Sequence, residues 1–179
     1  VSRYTSPSAV VYACLNSYNA SQKLRVYDAG TWSERSTGLP AGARIRTVAQ
    51  HQTNNNLAYA ITNGMESVQK VFKTTNRGVN WRDITGNLPN IPITDLVTHP
   101  TDTNKLYLGS EFGCLRTTNG GINWVKWNNG MPKANLVSEM NYIDSLSSKN
   151  RFYIVAATYG RGIWMREISG EDPITVINN

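Results

Sequence analysis

Three tryptophans of this 179-residue chain, Trp32, Trp81 and Trp124, are each followed eight residues later by a proline: Pro40, Pro89 and Pro132. The prolines close similar tripeptides, Gly38-Leu39-Pro40, Asn87-Leu88-Pro89 and Gly130-Met131-Pro132. A fixed internal offset repeated along a chain means that one structural unit has been copied. Other landmarks keep the same period. A tyrosine sits in a short apolar run at Tyr12, Tyr59, Tyr107 and Tyr153, at intervals of 47, 48 and 46 residues. Ile45, Val48 and His51 match Ile93, Leu96 and His99, each pair 48 residues apart. Four units follow, at approximately 1–40, 41–89, 90–132 and 133–168. Residues 169–179 are left as a closing strand or a linker to a further domain.

The third unit shows what one copy contains. Thr94 to His99 is a β-branched-rich run, and Pro100 to Asn104 is a turn cluster whose Asp and Asn can hydrogen-bond their own backbone. Lys105 to Gly109, Cys114 to Thr118 and Ile122 to Trp127 make three further short strands. No stretch shows a helical period over a dozen residues. A repeat of 40 to 50 residues holding four antiparallel strands is the signature of a propeller blade. Leu106 and Leu108 on one face and Tyr107 on the other suit a sheet packed on both sides. The expected fold is therefore all-β: a β-propeller of four-stranded antiparallel blades, about four of them present, forming part of a larger propeller. Unit one begins inside its first strand. Unit four has only residues 174–177 to offer as an outer strand. Exposed sheet edges would then demand a neighbour, from the same chain or another. A self-contained ring of four, closed by 174–177, is the other arrangement.

The turn between third and fourth strands carries the clearest motif. Thr74-Thr75-Asn76-Arg77-Gly78-Val79-Asn80-Trp81 and Thr117-Thr118-Asn119-Gly120-Gly121-Ile122-Asn123-Trp124 match position for position. They resemble the Asp-box, the Ser/Thr-x-Asp-x-Gly-x-Thr-Trp turn of sialidase-type (BNR) propellers, with Asn in place of Asp. Asp28-Ala29-Gly30-Thr31-Trp32 is similar to a shortened form. The closing segment Ala156-Ala157-Thr158-Tyr159-Gly160-Arg161-Gly162-Ile163-Trp164 resembles the end of xyloglucanase-like and sortilin-like propellers of the same family. The resemblance spans residues 1–168. It implies that Asn76, Gly78, Trp81, Asn119, Gly121 and Trp124 are structural turn residues, placed on the face opposite the usual ligand site. The expected physical roles are plain. The Asn side chain accepts backbone N–H groups, Gly supplies a left-handed conformation, and Trp plugs the space between adjacent sheets. The same resemblance implies a secreted or cell-surface setting, extracellular or periplasmic.

Charge adds little. The formal net charge is +6, but the basic residues are scattered, with Arg44/Arg46 and Arg161/Arg166 nearest to clusters. A nucleic-acid groove needs a concentrated stripe, so no nucleic-acid partner is expected, and no membrane span is visible. Cys14 and Cys114 occupy different repeat positions in separated units and are expected to be free and buried. His51 and His99 each close a first strand and are taken as structural, so neither metal nor cofactor is expected.

Glycosidases of this fold need paired carboxyls, or a tyrosine nucleophile with arginines, near the central channel. First strands line that channel, and they offer Asp95 and Glu139. Neither carries a motif, and Asp95 aligns with Thr47, so these stand as low-ranking catalytic candidates. Loops between second and third strands hold the better binding candidates: Tyr18, Glu111, Phe112, Tyr159 and Arg161. Aromatics beside amides suit a glycan or protein surface. The expected role is a non-catalytic recognition or scaffold module binding glycan or protein through one face. A fragment of a xyloglucanase- or sialidase-like glycoside hydrolase is the alternative. An assembly factor docking on a membrane-associated complex is a third.

Overall fold

The computed structural model describes residues 9–14, 24–41, 43–62, 65, 68–131, 136–144 and 151–170. Within them the chain forms four antiparallel sheets in sequence order. The first holds β1 (Val11–Cys14), β2 (Leu24–Asp28) and β3 (Thr31–Glu34). The second holds β4 (Ile45–Gln50), β5 (Ala58–Thr62), β6 (Val71–Thr74) and β7 (Arg82–Asp83). The third holds β8 (Ile93–Thr98), β9 (Leu106–Ser110), β10 (Gly113–Thr117) and β11 (Val125–Lys126). The fourth holds β12 (Val137–Asp144), β13 (Phe152–Thr158) and β14 (Gly162–Glu167). Every strand pairs with its sequence neighbour, so each sheet is a simple meander. Four strands per unit are thus found in the second and third sheets. The first and fourth have three among the described residues, and the proposed closing segment 174–177 lies outside them.

The sheets stand side by side, as blades of a β-propeller do. β1, β5 and β9, each a second strand holding a repeat tyrosine, lie against β4, β8 and β12, and β4, β8 and β12 contact one another in turn, which puts these first strands at the inner edge. Three apolar clusters fill the three gaps, and strand alternation assigns each residue to one of them. Ala58 and Ala60 of β5 face the first sheet with Val26, Phe72 and Trp81. Tyr59 and Ile61 of the same strand face the third sheet with Leu106, Leu108 and Trp124. Tyr107 of β9 turns the other way, toward Val137, Met140 and Ile154 of the fourth sheet. A strand sandwiched in this way has no wet face. That is why β5 and β9 are buried at every position and carry no charged residue, their one hydroxyl residue each, Thr62 and Ser110, standing at the strand end.

Both cysteines are free; Cys114 is buried and Cys14 half-buried. Burial pushes both thiols up to about 11, which leaves them protonated and poor nucleophiles.

Candidate functional site

The meander sends its connections to two opposite faces. Turns between strands one and two, and between three and four, share one face. Loops between two and three, and the links from four to the next first strand, share the other.

The turn face is built twice in the same way. The Thr74 hydroxyl accepts the amide of Gly78 at 2.8 Å and donates to Asn76 Oδ1 at 2.9 Å, and that oxygen also accepts the amide of Asn80 at 3.0 Å. Thr117 accepts from Gly121 at 3.0 Å and donates to Asn119 Oδ1 at 2.9 Å, which accepts from Asn123 at 2.9 Å. Gly78 and Gly121 take φ of 83° and 94°, where a side chain is strained. The tryptophans then cross to the preceding sheet. Trp81 donates its amide to Thr37 O at 2.8 Å and its indole N–H to Arg35 O at 2.9 Å. Trp124 donates to Asn87 Oδ1 at 2.6 Å and to Ile84 O at 3.3 Å.

Trp32 behaves differently. Ala29 and Gly30 both have positive φ, so Asp28 to Thr31 is a two-residue hairpin rather than the longer turn. Trp32 becomes part of β3 and lies 48% exposed, against 5% and 4% for Trp81 and Trp124. It fills no gap between described sheets; its ring packs on Tyr27 at 5.5 Å. Asp28 instead binds Arg35 at 3.0 Å and Arg77 at 2.9 Å. Burial works against its charge, yet those two arginines hold the carboxyl below its ordinary value.

On the same face His51 and His99 lock the turns that follow their strands. His99 Nδ1 accepts the amides of Thr101 at 3.3 Å and Asp102 at 3.1 Å, while Nε2 lies 3.3 Å from Ile168 O in the fourth unit. His51 Nδ1 accepts from Thr53 at 3.3 Å. Burial pushes both imidazoles below their ordinary pKa. Both rings are packed at sheet junctions and accept amides through Nδ1, and Nε2 of His99 donates to Ile168 O.

The loop face carries the other candidates. β4, β8 and β12 each bulge at one repeat position, between Ile45 and Thr47, Ile93 and Asp95, and Val137 and Glu139. A bulge inserts a residue and re-aims the side chains beside it. Asp95 and Glu139 are therefore equivalent, each the first paired residue past its bulge. Both line an open groove of about 470 Å³ along the first strands, together with Thr47, Gln50 and Asn141. Asp95 spans two sheets: its Oδ2 accepts the Met140 amide of β12 at 2.8 Å, and its Oδ1 accepts the Leu96 amide at 2.8 Å. Burial, with a contribution from Glu139, raises its carboxyl above the usual value against those two bonds. Glu139 is exposed and accepts from the Asn141 side chain at 3.3 Å. Arg46, at the first bulge, donates to Thr94 O of the neighbouring strand.

Glu111 and Phe112 form the tip between β9 and β10, and Tyr159 and Arg161 lie in the tip between β13 and β14. Phe112 is 58% exposed and Tyr159 81%. Met65, Val68 and Ile163 are also exposed around these connections. Tyr18 lies outside the described residues. The fold thus brings Glu111, Phe112, Tyr159 and Arg161 onto the face that holds Asp95 and Glu139, and sets Asn76, Gly78, Trp81, Asn119, Gly121 and Trp124 on the opposite one.

A further set of residues escaped the sequence argument. The hydroxyls of Thr62, Ser110 and Thr158 each donate across the base of a loop, to Gln69 O at 2.9 Å, Gly113 O at 2.8 Å and Gly162 O at 2.6 Å. The first loop residue then ties to the incoming link: Glu111 N–H to Pro92 O and Tyr159 N–H to Leu136 O. A signal for the hydroxyls was present, because 62, 110 and 158 are spaced by 48 and 48 residues and all carry Ser or Thr.

No protein-family model matches the chain, and no curated protein matches it. Solved structures do. It is similar to YCF48 bound to D1 peptide, with 17% identity and a TM-score of 0.56 over 91% of this chain and 49% of that one. YCF48 from Cyanidioschyzon merolae gives 10% identity and a TM-score of 0.62 over 89% and 48%. The GH74 xyloglucanase from Xanthomonas campestris gives 15% identity and a TM-score of 0.58 over 89% and 29%. At these identities the likeness establishes the propeller fold, and the chain spans half or less of the structures it matches.

Proposed function

We propose that this chain is the blade set of an Asp-box-type propeller that acts as a non-catalytic recognition module, gripping a protein partner with its loop face. One observation carries the proposal. Three hydroxyl brackets of the same design hold loops of unlike length and content, and two of those loops raise the exposed rings of Phe112 and Tyr159. Fixed bases with variable tips are how rigid scaffolds present binding surfaces. Aromatic rings fixed at a surface beside an arginine are strong anchors for a peptide segment. The solved YCF48 with a bound peptide supports a protein rather than a glycan as the partner. A secreted or cell-surface setting belongs to the same proposal and rests on the Asp-box resemblance.

The second reading, a glycoside hydrolase fragment, is favoured by Asp95 and Glu139 facing one groove and by the likeness to a xyloglucanase. Against it, both oxygens of Asp95 accept backbone amides, one of them on the neighbouring sheet, which suits a bracing role.

Peptides selected from a random display library on the intact chain test the reading. Phe112→Ala with Tyr159→Ala should weaken their binding at least about tenfold, the loss expected of central aromatic anchors, with an unchanged melting temperature. Equal binding to the double variant sinks the proposal. Release of reducing sugar from xyloglucan or a sialoside, abolished by Asp95→Asn and by Glu139→Gln, would establish the enzyme instead.

A further inference from the structure

Of the three apolar clusters, the one between third and fourth sheets is set apart by its sulfurs, which come from three separate elements. Cys114 of β10 and Met140 of β12 are buried in it, and Met131, on the link after β11, packs against them. The Cys114 thiol donates to Met131 Sδ at 3.9 Å. Cys114 stands opposite Gly109 in the register of β9 and β10, so both positions face the fourth sheet. A Cβ at Gly109 would lie 3.2 Å from Met140 Sδ and 2.9 Å from Thr94 Oγ1. The glycine thus leaves the space toward which that sulfur and that hydroxyl point. Thr94 Oγ1 is buried there with no hydrogen-bond partner among the described residues, and an unmatched buried hydroxyl calls for a ligand. Asn128 fixes the other side of the cluster. Its Oδ1 accepts the Cys114 amide at 2.6 Å and its carbonyl accepts the Met131 amide at 2.8 Å.

We propose that Cys114, Met131 and Met140 form a binding site for one soft monovalent cation, copper(I), with Thr94 Oγ1 at its edge. Thiolate and thioether ligands together select Cu(I). Metal–sulfur bonds of about 2.3 Å in a three-coordinate plane set the sulfurs about 4 Å apart, and Cys114 and Met131 already stand at that spacing. Methionine is unbranched and adaptable, so Met140 Sδ completes the plane by turning within the space that Gly109 leaves. Charge selects the valence. Cys114 supplies the single anionic ligand, so Cu(I) makes a neutral site, whereas Zn(II) would leave an uncompensated positive charge in a buried place. Burial holds the thiol at about 11, so the ion must displace its proton. Cys–SH and Cu(I) give Cys–S–Cu(I) and one H+, with no change of oxidation state. Met131 is half-buried and gives the ion its way in. Cys14 has no methionine in its own cluster and makes no such site.

Titration of the intact, reduced chain with silver(I), a redox-inert stand-in for copper(I), tests this by native mass spectrometry with excess free methionine as competitor. One silver ion per chain is expected, with one proton released in a pH-stat, and no zinc(II) under the same conditions. Cys114→Ser should abolish binding. Met131→Leu and Met140→Leu should each weaken it at least about tenfold, and Cys14→Ser should bind as the parent does. Met131→Leu keeps the volume of a half-buried side chain, so its unchanged circular dichroism and melting separate lost binding from lost folding. A parent chain that takes up no silver overturns the proposal. So does silver retained by Cys114→Ser or lost from Cys14→Ser, an affinity unchanged in either methionine variant, or zinc(II) bound as tightly as silver(I).

Discussion

The two faces of the stack are made by the same strands, yet they obey different rules. On the turn face the second and third sheets repeat the same turn bonds, from Thr74 and Thr117 through Asn76 and Asn119, and each turn ends on a buried tryptophan, Trp81 or Trp124. On the loop face only the bases repeat. The connections after Thr62, Ser110 and Thr158 differ in length and sequence and leave Phe112 and Tyr159 in solvent. Repetition marks where the fold is held together, because each copied turn closes a gap against a neighbouring sheet. Variation marks where the molecule is free to meet a partner, because nothing in the core depends on those tips.

The sharpest test of this contrast is Trp124→Ala. It empties a buried site in the gap between second and third sheets and removes the indole hydrogen bond to Ile84 O, so a loss of about 3–5 kcal/mol is expected in denaturant unfolding. Gly121→Ala should follow with about 3 kcal/mol, because φ is 94° and a Cβ would lie 2.5 Å from Ile84 O. Gly160→Ala on the loop face is its control. There φ is 71° but nothing lies within 4 Å, so only the backbone strain of about 1 kcal/mol is expected. A similar cost at both glycines would break the comparison. Asn119→Ala removes the oxygen that accepts from Asn123 and Thr117 and should cost about 1–2 kcal/mol.

Acid should loosen the turn face next. His51 and His99 are held neutral in the fold with pKa values below the unfolded value of 6.5. Their contribution is complete above about pH 6.5 and is lost as pH falls below it through the folded values, because the unfolded chain then binds more protons. Melting temperature should therefore drop below that pH, and His99→Gln should flatten the slope. The smallest effect is expected for Phe112→Ala and Tyr159→Ala, within about 0.5 kcal/mol each in urea unfolding. A larger loss would assign those rings to packing and not to recognition.

Much of the scaffold was legible in the chain. The period marked by the tyrosines, the apolar runs of β5 and β9, and the opposed directions of Leu106 and Tyr107 all follow from short-range spacing. The candidate site was less so. Glu111, Phe112, Tyr159 and Arg161 could be assigned to loop tips, since hairpin geometry is local. That Asp95 would brace β12 could not be read, because its partner Met140 lies 45 residues away on another sheet.

The amino-acid order by itself determined the repeat, the strands and the turn chemistry of Asn76 and Asn119, since these depend on residues a few positions apart. Only the assembled sheets decided that Trp81 is buried while Trp32 at the same repeat position is exposed, and that Asp95 is tied while Glu139 lies open to solvent. The physical reason is that burial and charge satisfaction belong to a neighbour in space. A copied unit prescribes the surface it offers, and the presence or absence of the next sheet determines whether that surface becomes core.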